Sequence, residues 1–257
     1  RDINIQRYPG RTYLFLQMNT ASGKPLSDGK RSDIIRSLTY AEGFMQDVKE
    51  SLILPSHFPF FTDSGLIHLY GCPHKYTGFD LAGGSGVFKG KLKIIYVDSG
   101  ITERMIMSDL SSELDKNGIE FTLVKLSADD FSKALSEADY DIALRKTVTD
   151  GSPDFSWLYL SDRMPYYENS MSLYTGNDPV FASLRNELYN DYIIGTNDIF
   201  AGDLCEILHE VMSEGPFIGL GYKMNALAAN RRVRGDPEPN TFDPYNNIKD
   251  VWVWLGY

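Results

Sequence analysis

The sequence predicts an α/β protein whose centre is a parallel β-α-β-α-β unit over residues 91–145. Two observations carry this. Short apolar runs of strand length alternate here with segments of helical period. Helix start and stop signals fall between them. Right-handed crossovers then make the three strands parallel neighbours with helices covering the sheet.

Each element has its own reason. "KLKIIYVD" (91–98) is β-branched and apolar, a strand. "TERMIMSDLSSELDKNG" (102–118) puts Ile106, Leu110 and Leu114 on one helix face. Thr102 is its candidate N-cap and Asn117-Gly118 its C-cap. "IEFTLVKL" (119–126) is the second strand, and Ser127 caps a short helix carrying Phe131 and Leu135. "YDIALR" (140–145) is the third. Outside this unit, "TYLFLQMN" (12–19) is β-prone, and the chain opens on Arg1-Asp2-Ile3-Asn4-Ile5 as though already inside a strand. Ile34, Leu38, Ala41, Met45, Val48 and Leu52 recur at spacings of 4, 3, 4, 3 and 4, one face of a helix that Pro55 closes. Residues 55–90 have no period and are rich in Pro, Gly and aromatics, so irregular structure is expected. Asp178-Pro179 opens one later helix and residues 197–213 form another. "FIGLGY" and "VWVWL" read as late strands.

Composition excludes several classes. The 257 residues carry a net charge of −10, which argues against a nucleic-acid partner because phosphate binding needs a basic patch. The densest basic cluster, Arg231-Arg232-Val233-Arg234, reads as a solvated turn. Cys72 and Cys205 give neither a disulfide framework nor a zinc spacing, and Cys205 reads as a small buried residue on a helix. His57, His68, His74 and His209 form no metal-ligand spacing, and no nucleophile elbow, metalloprotease motif or paired-carboxylate motif is present. The expectation is therefore no catalytic residue, no metal and no cofactor. No apolar run of transmembrane length occurs, and the chain reads as a mature or cut piece of a longer protein.

In open α/β sheets, ligands bind outside the carboxyl ends of the strands. Those ends here are Asp98-Ser99-Gly100, Leu126-Ser127 and the polar segment from Lys146 to Pro153. The last is the longest and is the candidate site, with Trp157 and Tyr159 just beyond it. Asp150 before Gly151 is equally a good turn former, and Trp157 suits a core.

A family resemblance follows from element order. A run ending in Asn19, a link containing Pro25 and a long helix precede "KLKIIYVD…LDKNGIEFTLVKL". "DYDIALR…GSPDFSWLYLSD", a helical tail, "GPFIGLGYKMNALAANRRVRG" and "DVWVWL" follow. In order, and over nearly the whole chain, this resembles the C-terminal half of family 5 extracellular solute-binding proteins, the oligopeptide- and nickel-binding type of ABC importers. The resemblance implies a periplasmic-binding-protein type II-like lobe: a mixed sheet containing the parallel core, flanked by helices. Residues 1–20 would cross from another lobe, 21–220 would form the binding lobe, and 221–257 would return. The lobe would close on a small peptide or other small solute without doing chemistry. Its partners would be a permease and, outside this chain, a lipid anchor, in an extracytoplasmic location.

The resemblance also implies ligand contacts from Arg145, Lys146, Thr147, Thr149, Asp150, Trp157 and Tyr159. Asp150 would pair with an ammonium and Arg145 with a carboxylate, while Trp157 and Tyr159 would pack ligand side chains. Family members hold a Trp where this chain has Lys146 or Thr147, a departure that bears on peptide specificity. The rival reading is the ligand-sensing C-terminal domain of a cytoplasmic transcriptional regulator with the same binding fold.

Overall fold

The computed structural model describes residues 3–19, 23–26, 33–34, 38, 45–56, 88, 90–148, 205, 217–230, 232–234, 238–239, 243, 246 and 252–253. Their strands are β1 (Ile3–Met18), β2 (Ile53–Leu54), β3 (Lys91–Val97), β4 (Glu120–Leu126), β5 (Ile142–Val148), β6 (Phe217–Asn230), β7 (Val233–Arg234) and β8 (Trp252–Val253). The helices are α1 (Gln46–Ser51), α2 (Ile101–Lys116) and α3 (Ala128–Ser136). The main sheet runs β2-β6-β1-β5-β3-β4. β3 lies parallel to both β4 and β5, as the alternation predicts. β1 pairs antiparallel with β5 on one side and β6 on the other, so the sheet is mixed.

The core forms because β3 is apolar on both faces. Leu92 and Ile94 join Ile106, Leu110 and Leu114 of α2 in the larger cluster, and all five are fully buried. Ile95 joins Ala143, Ala134 and Tyr140 in a second cluster, packed by Phe131 and Leu135 of α3. A strand covered by helices on both sides is the expected state in a parallel sheet. β4 is the edge strand; its half-exposed pattern, with Glu120 and Lys125 exposed or charged along it, suits an edge.

Helix ends decide where the strands begin. The N–H of Gly118 donates to the Asp115 carbonyl and that of Ile119 to the Leu114 carbonyl, a Schellman motif with Gly118 at φ 67°. α3 starts as expected, Ser127 accepting from the Asp130 N–H. It ends on a second Schellman motif, in which Ala138 takes φ 51° and no glycine marks the position. Asn19 then locks the chain beyond: its Nδ2 donates to the carbonyls of Ala138 at 2.9 Å and Tyr140 at 2.7 Å. The Asp141 carboxylate accepts from the Lys93 N–H at 2.7 Å, fixing β5 beside β3.

Several sequence expectations are corrected. The helix expected to run unbroken from Ile34 to Leu52 is interrupted at Met45, which lies in the left-handed region at φ 58°, and α1 begins after it. Its apolar face is nevertheless buried at Ile34, Leu38, Met45 and Val48, because burial needs only the side chains to converge. Thr102 is inside α2; Gly100 holds the N-cap position without a side-chain cap. β5 continues through Lys146, Thr147 and Val148, which pair with Leu14, Tyr13 and Thr12, so the polar segment leaves the sheet three residues later than expected. Half of the basic cluster is strand: Val233 and Arg234 pair with Val253 and Trp252. Cys205 is buried and disulfide-bonded rather than a free buried thiol; the sequence holds one other cysteine, Cys72. The irregular stretch from 57 to 87 and the helices expected after Asp178 and over 197–213 lie almost wholly outside the described residues.

Candidate ligand site

The carboxyl ends of β3 and β5 and the first turns of α2 and α3 enclose a cavity of about 120 Å³. Its walls include Ser99, Glu103, Phe131, Leu144, Arg145 and Lys146. The position follows from topology, since parallel strands deliver their carboxyl ends and the succeeding helix N-termini to one edge.

Of the residues expected to contact a ligand, Arg145 and Lys146 line this cavity and Thr147 is the next residue on β5. Arg145 is 5% exposed. Its guanidinium donates to Gln17 Oε1 and lies 5.7 Å from the centroid of the Phe15 ring. Antiparallel register explains both contacts: Phe15 is directly opposite Arg145, and Gln17 is opposite Ala143 on the same face. Lys146 is exposed. Thr149, Asp150, Trp157 and Tyr159 lie outside the described residues, as do all four histidines. Among the described residues no group of three or more His, Cys, Asp or Glu side chains converges. No helix among them is long and apolar enough to cross a membrane.

The residue that sequence reasoning missed is Glu103, only 2% exposed in the first turn of α2. Its Oε1 accepts from Ser99 Oγ at 2.7 Å and from Lys223 Nζ of β6 at 2.8 Å. The signal was present as an acid in the turn after the Asp98-Ser99-Gly100 strand end, where a helix N-terminus favours negative charge. Lys223 was not legible, because it comes from 120 residues away.

Asp98 shapes the neighbouring rim. It accepts from Lys125 Nζ at 2.8 Å and from Arg104 at 3.2 Å, joining the end of β3 to β4 and α2. The Lys125 hydrogen bond holds its carboxyl below the usual range, against a smaller opposing effect of burial. At Glu103, burial pushes the carboxyl upward, but the hydrogen bonds from Lys223 and Ser99 and the Lys223 charge pull it down further. The net direction is down from 4.5. A carboxyl depressed on folding contributes stability above its unfolded value, and that contribution disappears as pH falls through the folded value. Glu103→Gln should therefore flatten the acid limb of the stability profile below pH 4.5. Urea melts at descending pH check this; equal slopes in wild type and variant would refute it.

The mixed sheet with its parallel core is consistent with a periplasmic-binding-protein-like fold, which solved neighbours share. No family model matches the chain, and no curated protein sequence matches it. Solved structures do, among them ABC-transporter and peptide-binding proteins. One is the substrate-binding protein CtaP of Listeria monocytogenes, with TM-score 0.65, 17% identity, and 98% of this chain and 52% of that one covered. Another is the oligopeptide-binding protein AppA of Bacillus subtilis in complex with a nonapeptide, with TM-score 0.62, 13% identity, and coverages of 98% and 53%. A third is NikA of Brucella suis in complex with Fe(III)-EDTA, with TM-score 0.68, 13% identity, and again 98% and 53%. At these identities the likeness is one of fold. The chain spans about half the length of the neighbours it matches.

Proposed function

We propose that this chain is the C-terminal, ligand-binding lobe of an extracytoplasmic solute-binding protein serving an ABC importer, with peptides as the ligand class. The observation that carries the reading is the cavity at the carboxyl edge, on a fold whose solved neighbours are binding proteins. Arg145, Lys146 and Thr147 stand at or beside it, and Thr149, Asp150, Trp157 and Tyr159 follow in sequence as further contacts. The polypeptide enters through residues 1–20, forms the lobe over 21–220 and returns over 221–257. In support, Ile3–Pro9 of β1 pair with Met224–Asn230 of β6 as a largely exposed ribbon, with Ile3 60% and Ile5 57% exposed. A second lobe would cover such apolar surface. The disulfide at Cys205 supports an oxidising, extracytoplasmic compartment. Closure of two lobes on the ligand would give the state that a permease recognises.

One lobe supplies only part of an enclosing site. Loss of about 4 kcal/mol of contacts weakens binding roughly a thousandfold. Calorimetric titration with a mixture of short peptides should give micromolar binding for a longer protein carrying both lobes. This 257-residue chain should bind in the millimolar range or not at all. Equal affinities would place the whole site within this chain, and absence of peptide binding to both would remove the peptide reading.

A further inference from the structure

Glu103 has one oxygen explained and one not. Oε1 is satisfied by Ser99 and Lys223. Oε2 is buried and has no hydrogen-bond partner. A buried acceptor on a charged group that finds no donor is costly, more so than a neutral one. An ionised carboxylate can only accept, so whatever completes it must bring N–H or O–H. Glu103 is itself a wall of the cavity, and the neighbouring walls at Leu14, Val97, Phe131 and Leu144 are apolar.

We propose that this cavity is a subsite for an aliphatic primary ammonium, its methylene stem against the apolar walls and its NH3+ group donating to Glu103 Oε2. The class is a lysine-type side chain of a peptide, or a free alkylamine of the same chemistry. The inference rests on the peptide-binding reading and sharpens it. Size agrees: about 120 Å³ is well below the roughly 300–1,000 Å³ of a site for a whole small molecule, so it takes one side chain. Chemistry agrees as well, since an amphipathic stem with a charged tip fits apolar walls around one acidic acceptor. Among the described residues, three cations lie near the site. Lys223 is engaged by Oε1, Arg145 is turned to Gln17 and Phe15, and Lys146 is exposed, where solvent and salt screen it. The open oxygen offers the ammonium a charge-assisted bond, and the lysine–norleucine comparison below reads whether that bond exceeds the repulsion from Arg145 and Lys223.

The test is an NMR titration of the isotope-labelled chain with three probes: Nα-acetyl-L-lysinamide, Nα-acetyl-L-norleucinamide and n-pentylamine. The first two differ only in the terminal ammonium. The lysine compound, the pentylamine or both should shift the amides of Ser99, Glu103 and Phe131 saturably, and which one does so separates a peptide side chain from a free amine. The norleucine compound should bind about tenfold more weakly or worse. Glu103→Gln should reduce the lysine compound to the norleucine level, while unchanged amide shifts along β3 and β5 show that the variant is folded. The wild-type comparison stands even where the variant does not fold. A lysine compound that binds no better than a binding norleucine compound, or no shift at those three amides from either amine up to the solubility limit, overturns the subsite. Peptide binding by a two-lobed protein that ignores both a lysine in the peptide and Glu103→Gln also overturns it, and leaves the peptide reading standing.

Discussion

Leu110→Ala and Leu114→Ala should each destabilise the protein by about 2–5 kcal/mol. Both side chains are fully buried in the larger core cluster, with Leu92, Ile94 and Ile142 of the sheet among its members. Truncation removes apolar area from the core and leaves a cavity that α2 cannot collapse, because the Schellman motif at Gly118 fixes its end against β4. Denaturant melts are the check. Losses under about 0.5 kcal/mol are typical of surface positions and would show that this face does not carry the core.

Gly221→Ala should cost at least about 3 kcal/mol, the upper end of backbone strain alone. Gly221 has φ 136°, and a Cβ there would lie 2.1 Å from the Leu54 carbonyl oxygen and 2.8 Å from Pro55 Cα. Those atoms belong to backbone that is held in place: Leu54 pairs with Tyr222, and Met224 N–H donates to the Leu52 carbonyl. The new methyl must therefore push β2 off β6. Gly23→Ala is the matched control, with φ 82° but nothing within 4 Å of its Cβ position. It should cost only about 1 kcal/mol. Similar losses in the two variants would mean that β2 yields freely.

The cavity gives these stability predictions their functional weight. β6 brings both Gly221, which admits β2, and Lys223, which holds Glu103, so the same strand braces one wall of the candidate site. A change that loosens β6 should disturb the site without touching it.

Legible in the sequence were the α/β class, β3, α2 and β4 to within a residue or two, the start of α3, the core leucines of α2, and the sheet edge where the cavity lies. These are local matters. Period, cap residues and the Asn117-Gly118 stop act within a few positions, so they can be read without knowing what packs against what. The family resemblance added the mixed sheet, through the order of the elements. Local signals misled wherever a distant partner overrode them. Lys146 and Thr147 look like loop but are held as strand by Leu14 and Tyr13 of β1, which supply the missing hydrogen bonds. Met45 takes a left-handed backbone inside an unbroken helical period, and Ala138 ends a helix with no glycine to announce it. That Glu103 is a buried carboxylate at a cavity follows from long-range packing alone. Its burial, its Lys223 partner and its open oxygen all depend on β6 lying close to α2, a contact made 120 residues apart in sequence. Desolvation and ion pairing are properties of the assembled site, and no window of sequence contains them.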